Sequence, residues 1–250
     1  MISRPDFNKI GVFLYCMTGN FPFEVKGENN MRTNTVVNQK STITTRELVT
    51  IGLLSGLAYV LMLIHLPFKF LGFLEIEFSD IPAVIAALQF GPFAGVVVEL
   101  IKNLIKALTM STTGMVGELA NFIISSAFII PVGALYKLRK LKNVRKEGTV
   151  NSDKKKRWNG AYLVFIFALS TVSFCLAGAI VNYFITVPLY AKLFGGMDVV
   201  VGAASAYISV IKNAAGLVIL GITPFNFVKG IGMSVLGFWT YRMLKGRILE

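Results

Sequence analysis

The sequence predicts an all-α integral membrane protein, a bundle of six transmembrane helices with cytoplasmic N- and C-termini, and three observations predict it. Of 250 residues, 54% are hydrophobic and only 15% are charged, where a soluble domain carries about 25% charge. Apolar stretches recur at 46–64, 81–109, 116–136, 161–187, 199–222 and 224–244, and a spanning helix needs roughly 20 residues. The basic residues lie mostly between those stretches. A formal charge of +12 would suggest nucleic acid in a soluble chain; here it reads as orientation in a bilayer, so lipid is the expected partner and nucleic acid is not.

The expected layout is an N-terminal tail over residues 1–40 and one six-helix membrane domain over 41–250, with a basic cytoplasmic loop at 137–158. In the tail, the patch GVFLYCM (11–17) has no small-residue cleavage site after it, so no signal peptide is expected. Lys26-Gly27-Glu28 can be encoded by a purine-rich stretch resembling a ribosome-binding site shortly before Met31. Translation is therefore expected to begin at Met31, and peptides from residues 1–30 in mass spectra of the native protein would overturn this. Cys16 and Cys175 belong to no CxxC pair, so neither a disulfide framework nor a metal site is implied.

The first span contains TIGLLSGLAYV (50–60), in which Gly52 and Gly56 form the small-xxx-small pattern that lets helices approach closely in lipid, with Ser55 between them. His65 is the only histidine, beside Pro67 at the end of this span, and reads as an interfacial polar residue. No HExxH, GxSxG or Walker motif is present, so an enzyme is not expected.

The connection 65–80 ends in LGFLEIEFSDIP (71–82), where Leu74, Ile76 and Phe78 alternate with Glu75, Glu77 and Ser79 in a strand-like period of two. It reads either as an external loop with its acids in water or, through Phe70, Gly72 and Phe73, as a lid over a flat ligand. Ser79 or Asp80 is placed to cap the helix beginning at Ile81, with Pro82 in its first turn.

Parity decides the run 81–109. The loop from Lys137 to Arg157 holds ten Lys or Arg residues against Glu147 and Asp153, which marks it as cytoplasmic. Arg32, Lys40 and Arg46 before the first span, and Arg242, Lys245 and Arg247 after the last, place both termini on the same side. An even number of crossings must then precede the loop, so 81–109 is two segments, broken at Gly91-Pro92 where proline lacks an amide donor. The first half would rise only about 15 Å, so its outer end must meet protein or water. In the second half, Glu99, Lys102 and Asn103 stand at helical contact spacing and are expected to face the interior as a pair or network, while Lys106 lies nearer the outside, where it can snorkel.

The turn 110–115 leads into STTGMVGELANF (111–122), where Gly114 and Gly117 permit close backbone approach and Glu118 and Asn121 share a helix face. After the basic loop, 161–187 crosses outward and carries Asn182 and Tyr183 at its outer end. The run 199–222 has Lys212 and Asn213 in its middle and is expected to lie outside as a surface or partly inserted helix within the connection 188–223. TPFNFVKG (223–230) then opens the last span, with Asn226 and Lys229 three residues apart at the depth of Asn182. Three polar groups at one level point to a converging binding site rather than to three separate structural repairs.

The ordered motifs FSDIPA (78–83), FGPFAGVVVELIKN (90–103), GELANF (117–122), NYFITVPLY (182–190) and TPFNFVKG (223–230) resemble the riboflavin-specific substrate-binding subunit (S component) of energy-coupling factor (ECF) vitamin transporters, over residues 43–247. The resemblance implies high-affinity capture of riboflavin at the outer face of a bacterial cell membrane. It implies no cofactor, riboflavin being cargo. It further implies a transmembrane coupling subunit and two cytoplasmic ABC-type ATPases as partners, with the small-residue face at Gly52, Ser55 and Gly56 touching the coupling subunit. The family's binding region falls here on Leu71, Gly72, Phe73, Leu74, Asn121, Asn182, Asn226 and Lys229. Asparagine amides and a lysine ammonium suit the carbonyl and N–H edge of the isoalloxazine ring. The alternatives are an S component for another vitamin or flavin, such as thiamine or FMN, and a self-sufficient secondary transporter.

Overall fold

In a computed structural model, the described residues are 44–64, 70, 71, 74–111, 113–144 and 152–244, with the backbone alone for 141–144 and 152–159. The tail 1–40 with Met31, His65, Gly72 and Phe73 lie outside them, as does the middle of the basic loop. The helices are α1 (Thr45–Leu63), α2 (Ile81–Phe90), α3 (Pro92–Thr109), α4 (Val116–Val144), α5 (Ser152–Val181), α6 (Val187–Leu193), α7 (Met197–Ser205), α8 (Ala214–Gly216) and α9 (Thr223–Leu244). Four stretches among the described residues are long and apolar enough to cross a membrane: Thr45–Leu63, Val116–Lys140, Gly160–Leu193 and Ala214–Leu244.

A capping box starts α1: Thr44 Oγ1 accepts from Glu47 N at 3.3 Å and Glu47 Oε2 accepts from Thr44 N at 3.0 Å. The predicted break at Gly91-Pro92 is there. Gly91 adopts φ 105°, which side chains rarely enter, and α2 and α3 fold back on each other about it. Short and apolar, α2 is the central element, packed against α1, α3, α4 and α9, and Pro82, Ala83, Val84, Ala86, Ala87 and Leu88 are buried. Protein therefore surrounds the helix that is too short to cross lipid alone. The turn at Gly91 lies beside Lys137, at the start of the basic stretch, and so at the opposite end of α4 from Glu118 and Asn121.

Four boundaries differ from the sequence reading. Helix runs into the basic stretch from both sides, α4 reaching Val144 and α5 starting at Ser152, because Lys and Arg are good helix formers that need no lipid. The helix after the basic loop passes Pro188 and ends at Leu193, and the last helix starts at Ala214 rather than at Thr223-Pro224. Each proline is preceded by a π-helical turn, Asn182–Thr186 and Leu217–Ile222, closed by Val187 N donating to Asn182 O and Thr223 N donating to Val218 O. Widening to an i→i+5 bond accommodates the ring and its missing donor without ending the helix. Asn213 separates what had been read as one run: its Oδ1 accepts from Gly216 N at 2.7 Å and caps the final helix.

Among the described residues, the period of two in 74–78 does not build a strand. Among the described residues it makes an isolated bridge, Phe70 N to Leu74 O at 2.8 Å and Leu74 N to Phe70 O at 2.9 Å, about Leu71 at φ 53°. Two apolar clusters result. The larger joins α1 to α5 and α9 through residues such as Val84, Phe128, Ile129, Ile166 and Phe174. The smaller gathers Leu71, Tyr190, Val200, Ala204, Ile211, Leu217 and Ile222.

Candidate functional site

Between the two clusters lies a cavity of ≈ 320 Å³, within the roughly 300–1,000 Å³ of small-molecule pockets. Ala120, Ile124 and Phe174 line it from the larger cluster and Tyr190 and Ile222 from the smaller, with Phe225 at its side. Phe70 stacks on Phe225 with ring centroids 5.7 Å apart, so the first connection reaches over this wall.

Asn121, Asn182, Asn226, Lys229 and Leu74 all line this cavity. Leu71 does not. It is 1% exposed in the smaller cluster, where a methyl group added at Gly221 would sit 2.6 Å from its Cδ1; it pins the connection to the turn ahead of α9. Tyr183 faces outward and is exposed.

Gly178 explains how two asparagines fit side by side. Asn182 Nδ2 donates to Gly178 O at 2.7 Å, and a Cβ on Gly178 would overlap Asn226 Nδ2. Asn226 is 5% exposed, yet its Nδ2 has no hydrogen-bond partner among the described residues. A buried donor without an acceptor is costly, and this one belongs to a residue that lines a cavity.

Beneath the cavity runs a buried polar network. Lys102 Nζ donates to Asp80 Oδ1 at 2.5 Å, Glu99 Oε1 at 2.9 Å and Ser79 Oγ at 3.1 Å. Asp80 Oδ2 faces Lys229 Nζ at 3.3 Å, and Glu77 Oε1 lies 3.7 Å from it. Lys229 Nζ donates to Asn121 Oδ1 at 3.4 Å, while Asn121 Nδ2 donates to Asn103 Oδ1 at 3.1 Å and Glu77 Oε1 at 3.3 Å. Asn103 Nδ2 closes the circuit on Glu99 Oε2 at 3.2 Å, so the predicted Glu99, Lys102 and Asn103 network is present and buried. Burial opposes ionisation of Asp80, but the ammonium groups of Lys102 and Lys229 outweigh it and hold the carboxyl well below the usual carboxylate range. The expected cap is therefore absent: neither Ser79 nor Asp80 bonds the first turn of α2, because lysines claim both side chains.

At the mouth, Lys106 lies 3.9 Å from Glu75 instead of snorkelling, and both line the cavity. Glu118 Oε2 accepts from Ser111 Oγ and Thr113 Oγ1, each at 3.1 Å. Glu77 and Asp80 also belong to the site, and local spacing does not identify them: the one signal for Asp80 is its place directly ahead of a helix, and none marks Glu77. On α1, Gly52 and Gly56 are exposed with nothing near a Cβ position. Ser55 faces inward, buried, and donates to Ile51 O at 2.7 Å, so it is not on the open face with the two glycines.

A family model described as "ECF transporter, substrate-specific component" matches residues 46–239. The chain belongs to that family. Among relatives of this S component, Riboflavin transporter RibU of Staphylococcus aureus (strain TCH60) is 32% identical over 200 residues, covering 80% of this chain and 90% of that protein. Riboflavin transporter FmnP of Bacillus subtilis (strain 168) is 35% identical over 194 residues, covering 76% of this chain and 87% of that protein. A solved structure described as "Structure and mechanism of the S component of a bacterial ECF transporter" matches with a TM-score of 0.57 at 30% identity, covering 80% of this chain and 95% of that one. As an S component, the chain is a multi-pass protein of the bacterial cell membrane and a substrate-binding transporter component rather than an enzyme.

Proposed function

We propose that this chain is the high-affinity riboflavin-binding S component of an ATP-driven ECF vitamin uptake transporter and captures riboflavin at the outer face. The observation that carries the reading is the cavity in which Asn121, Asn182, Asn226 and Lys229 converge, in a chain similar to two riboflavin transporters. Ile124, Phe174 and Phe225 offer apolar surface to a flat ring, and the unpartnered amide of Asn226 with the ammonium of Lys229 offers donors to its carbonyl edge. Gly72 and Phe73 belong to the same proposed site through the connection that Leu71 anchors. Riboflavin is cargo, and no cofactor is required.

In this reading six segments span, α2 and α3 counting separately, and the basic stretch and both termini face the cytoplasm. The beginning of that stretch beside the Gly91 turn, away from the cavity, supports an outward-facing site. A coupling subunit would pack on the open glycine face of α1 at Gly52 and Gly56, with Ser55 behind it, and two ABC-type ATPases would supply the energy.

Thiamine would find carboxylates in the cavity, but Lys229 faces Glu77 and Lys106 faces Glu75, so a second cation is poorly served. Protein purified from cells grown in rich medium is expected to be yellow, with a flavin absorption band that survives dialysis. A colourless preparation that takes up thiamine but no riboflavin on titration would overturn the proposal. Gly178→Ala, which drives a methyl group into Asn226, is expected to weaken riboflavin binding by about 1–3 kcal/mol, the scale of one hydrogen bond to the ligand. An unchanged Kd by fluorescence titration would remove that contact from the binding account.

A further inference from the structure

Glu77 differs from the other acids of the cavity, Glu75 and Glu118, and from Asp80 in the network beneath it. Glu118 receives two hydroxyl groups, Asp80 stands between two ammonium groups, and Glu75 lies near Lys106. Glu77 is 7% exposed, and its contacts with Asn121 and Lys229 both engage Oε1. Its Oε2 is buried without a hydrogen-bond partner among the described residues, and the residue lines the cavity. A purely structural role, holding Asn121 and balancing Lys229, uses one oxygen and leaves the other desolvated, which folding alone does not reward. Asn226 Nδ2 is the converse, a buried donor lacking an acceptor among the described residues, on a residue that lines the same cavity. A ligand that completes both must carry a donor as well as an acceptor.

We infer that Glu77 is a specificity-determining residue that accepts a hydrogen bond from the ligand through Oε2, so that the site selects among flavins by what they can donate; this rests on the riboflavin reading above. Riboflavin has two kinds of donor, the ring imide N–H and the ribityl hydroxyls. Either satisfies the carboxylate. A Glu77→Gln substitution keeps the shape but not the pattern. With its amide nitrogen towards the ligand, two donors face each other; with the amide reversed, the nitrogen confronts Asn121 Nδ2 and Lys229 Nζ.

The full-length wild type and the Glu77→Gln variant are titrated in detergent with riboflavin, 3-methylriboflavin, which lacks the imide N–H, and lumiflavin, which lacks the ribityl chain, weak ligands being measured by competition. Glu77→Gln is expected to bind riboflavin roughly 10- to 100-fold more weakly, the range of one hydrogen bond to a charged group. One analogue is expected to bind the wild type weakly and to lose less than about 3-fold further in the variant, as its donor is already gone. If 3-methylriboflavin is that ligand, the imide is the donor; if lumiflavin is, the ribityl chain is. An equal loss for all three ligands, or no loss for riboflavin, overturns the inference. Should the variant fail to fold, the wild type alone decides, since equal affinity for all three ligands also overturns it. Wild-type protein that binds none of the three overturns the riboflavin reading itself, an outcome distinct from flavin binding that ignores residue 77.

Discussion

Lys102→Ala is expected to destabilise the protein by about 3–5 kcal/mol, the cost of removing one partner from a buried ion pair. Lys102 is 0% exposed and holds Asp80, Glu99 and Ser79 at once. Without it, two buried carboxyl groups lose their shared donor in a medium that cannot solvate them. The loss should be visible as a lowered midpoint of thermal unfolding in detergent micelles. Lys102→Met combined with Glu99→Gln is expected to recover part of it, because the uncompensated acid costs more than the missing contact. A single variant within about 1 kcal/mol of the wild type, the range of an exposed pair, would show that the network is solvated and not a buried keystone.

Asn226→Ala and Lys229→Ala are each expected to weaken flavin binding by about 1–3 kcal/mol through a lost or unsatisfied hydrogen bond. The two should differ in their effect on folding. Asn226 Nδ2 has no hydrogen-bond partner among the described residues, so its removal should leave the unliganded protein nearly as stable as before. Lys229 faces Asp80 and Glu77, so its removal should also lower stability. Fluorescence titration with riboflavin, beside thermal unfolding of the unliganded forms, separates the two effects. Unchanged affinity in both variants would take these residues out of the pocket.

Much of the site was legible because lipid makes polar residues conspicuous. Asn182, Asn226 and Lys229 stand in stretches where hydrocarbon favours leucine, and parity put them at one depth, while Asn121 was marked by sharing a helix face with Glu118. The same reasoning found the break at Gly91 and the buried group on α3. It missed that Glu77 and Asp80 point inward, because an acid in a connection between helices reads equally well as solvated. It also assigned Leu71 to the ligand, whereas the side chain packs against Gly221.

By itself, the sequence determined the membrane class, the segmentation of 81–109 and the level at which polar groups gather, since these follow from hydropathy, proline chemistry and charge asymmetry along one chain. Only the tertiary structure decided which carboxyl meets which ammonium, that the helices pass Pro188 and Pro224 through π turns, and that one oxygen of Glu77 and one amide nitrogen of Asn226, on residues that line the cavity, stay unmatched among the described residues. Those outcomes depend on side chains from the connection ahead of α2 and from α3, α4 and α9 competing for the same few partners over separations of up to 108 residues, and no local spacing rule ranks such competitors.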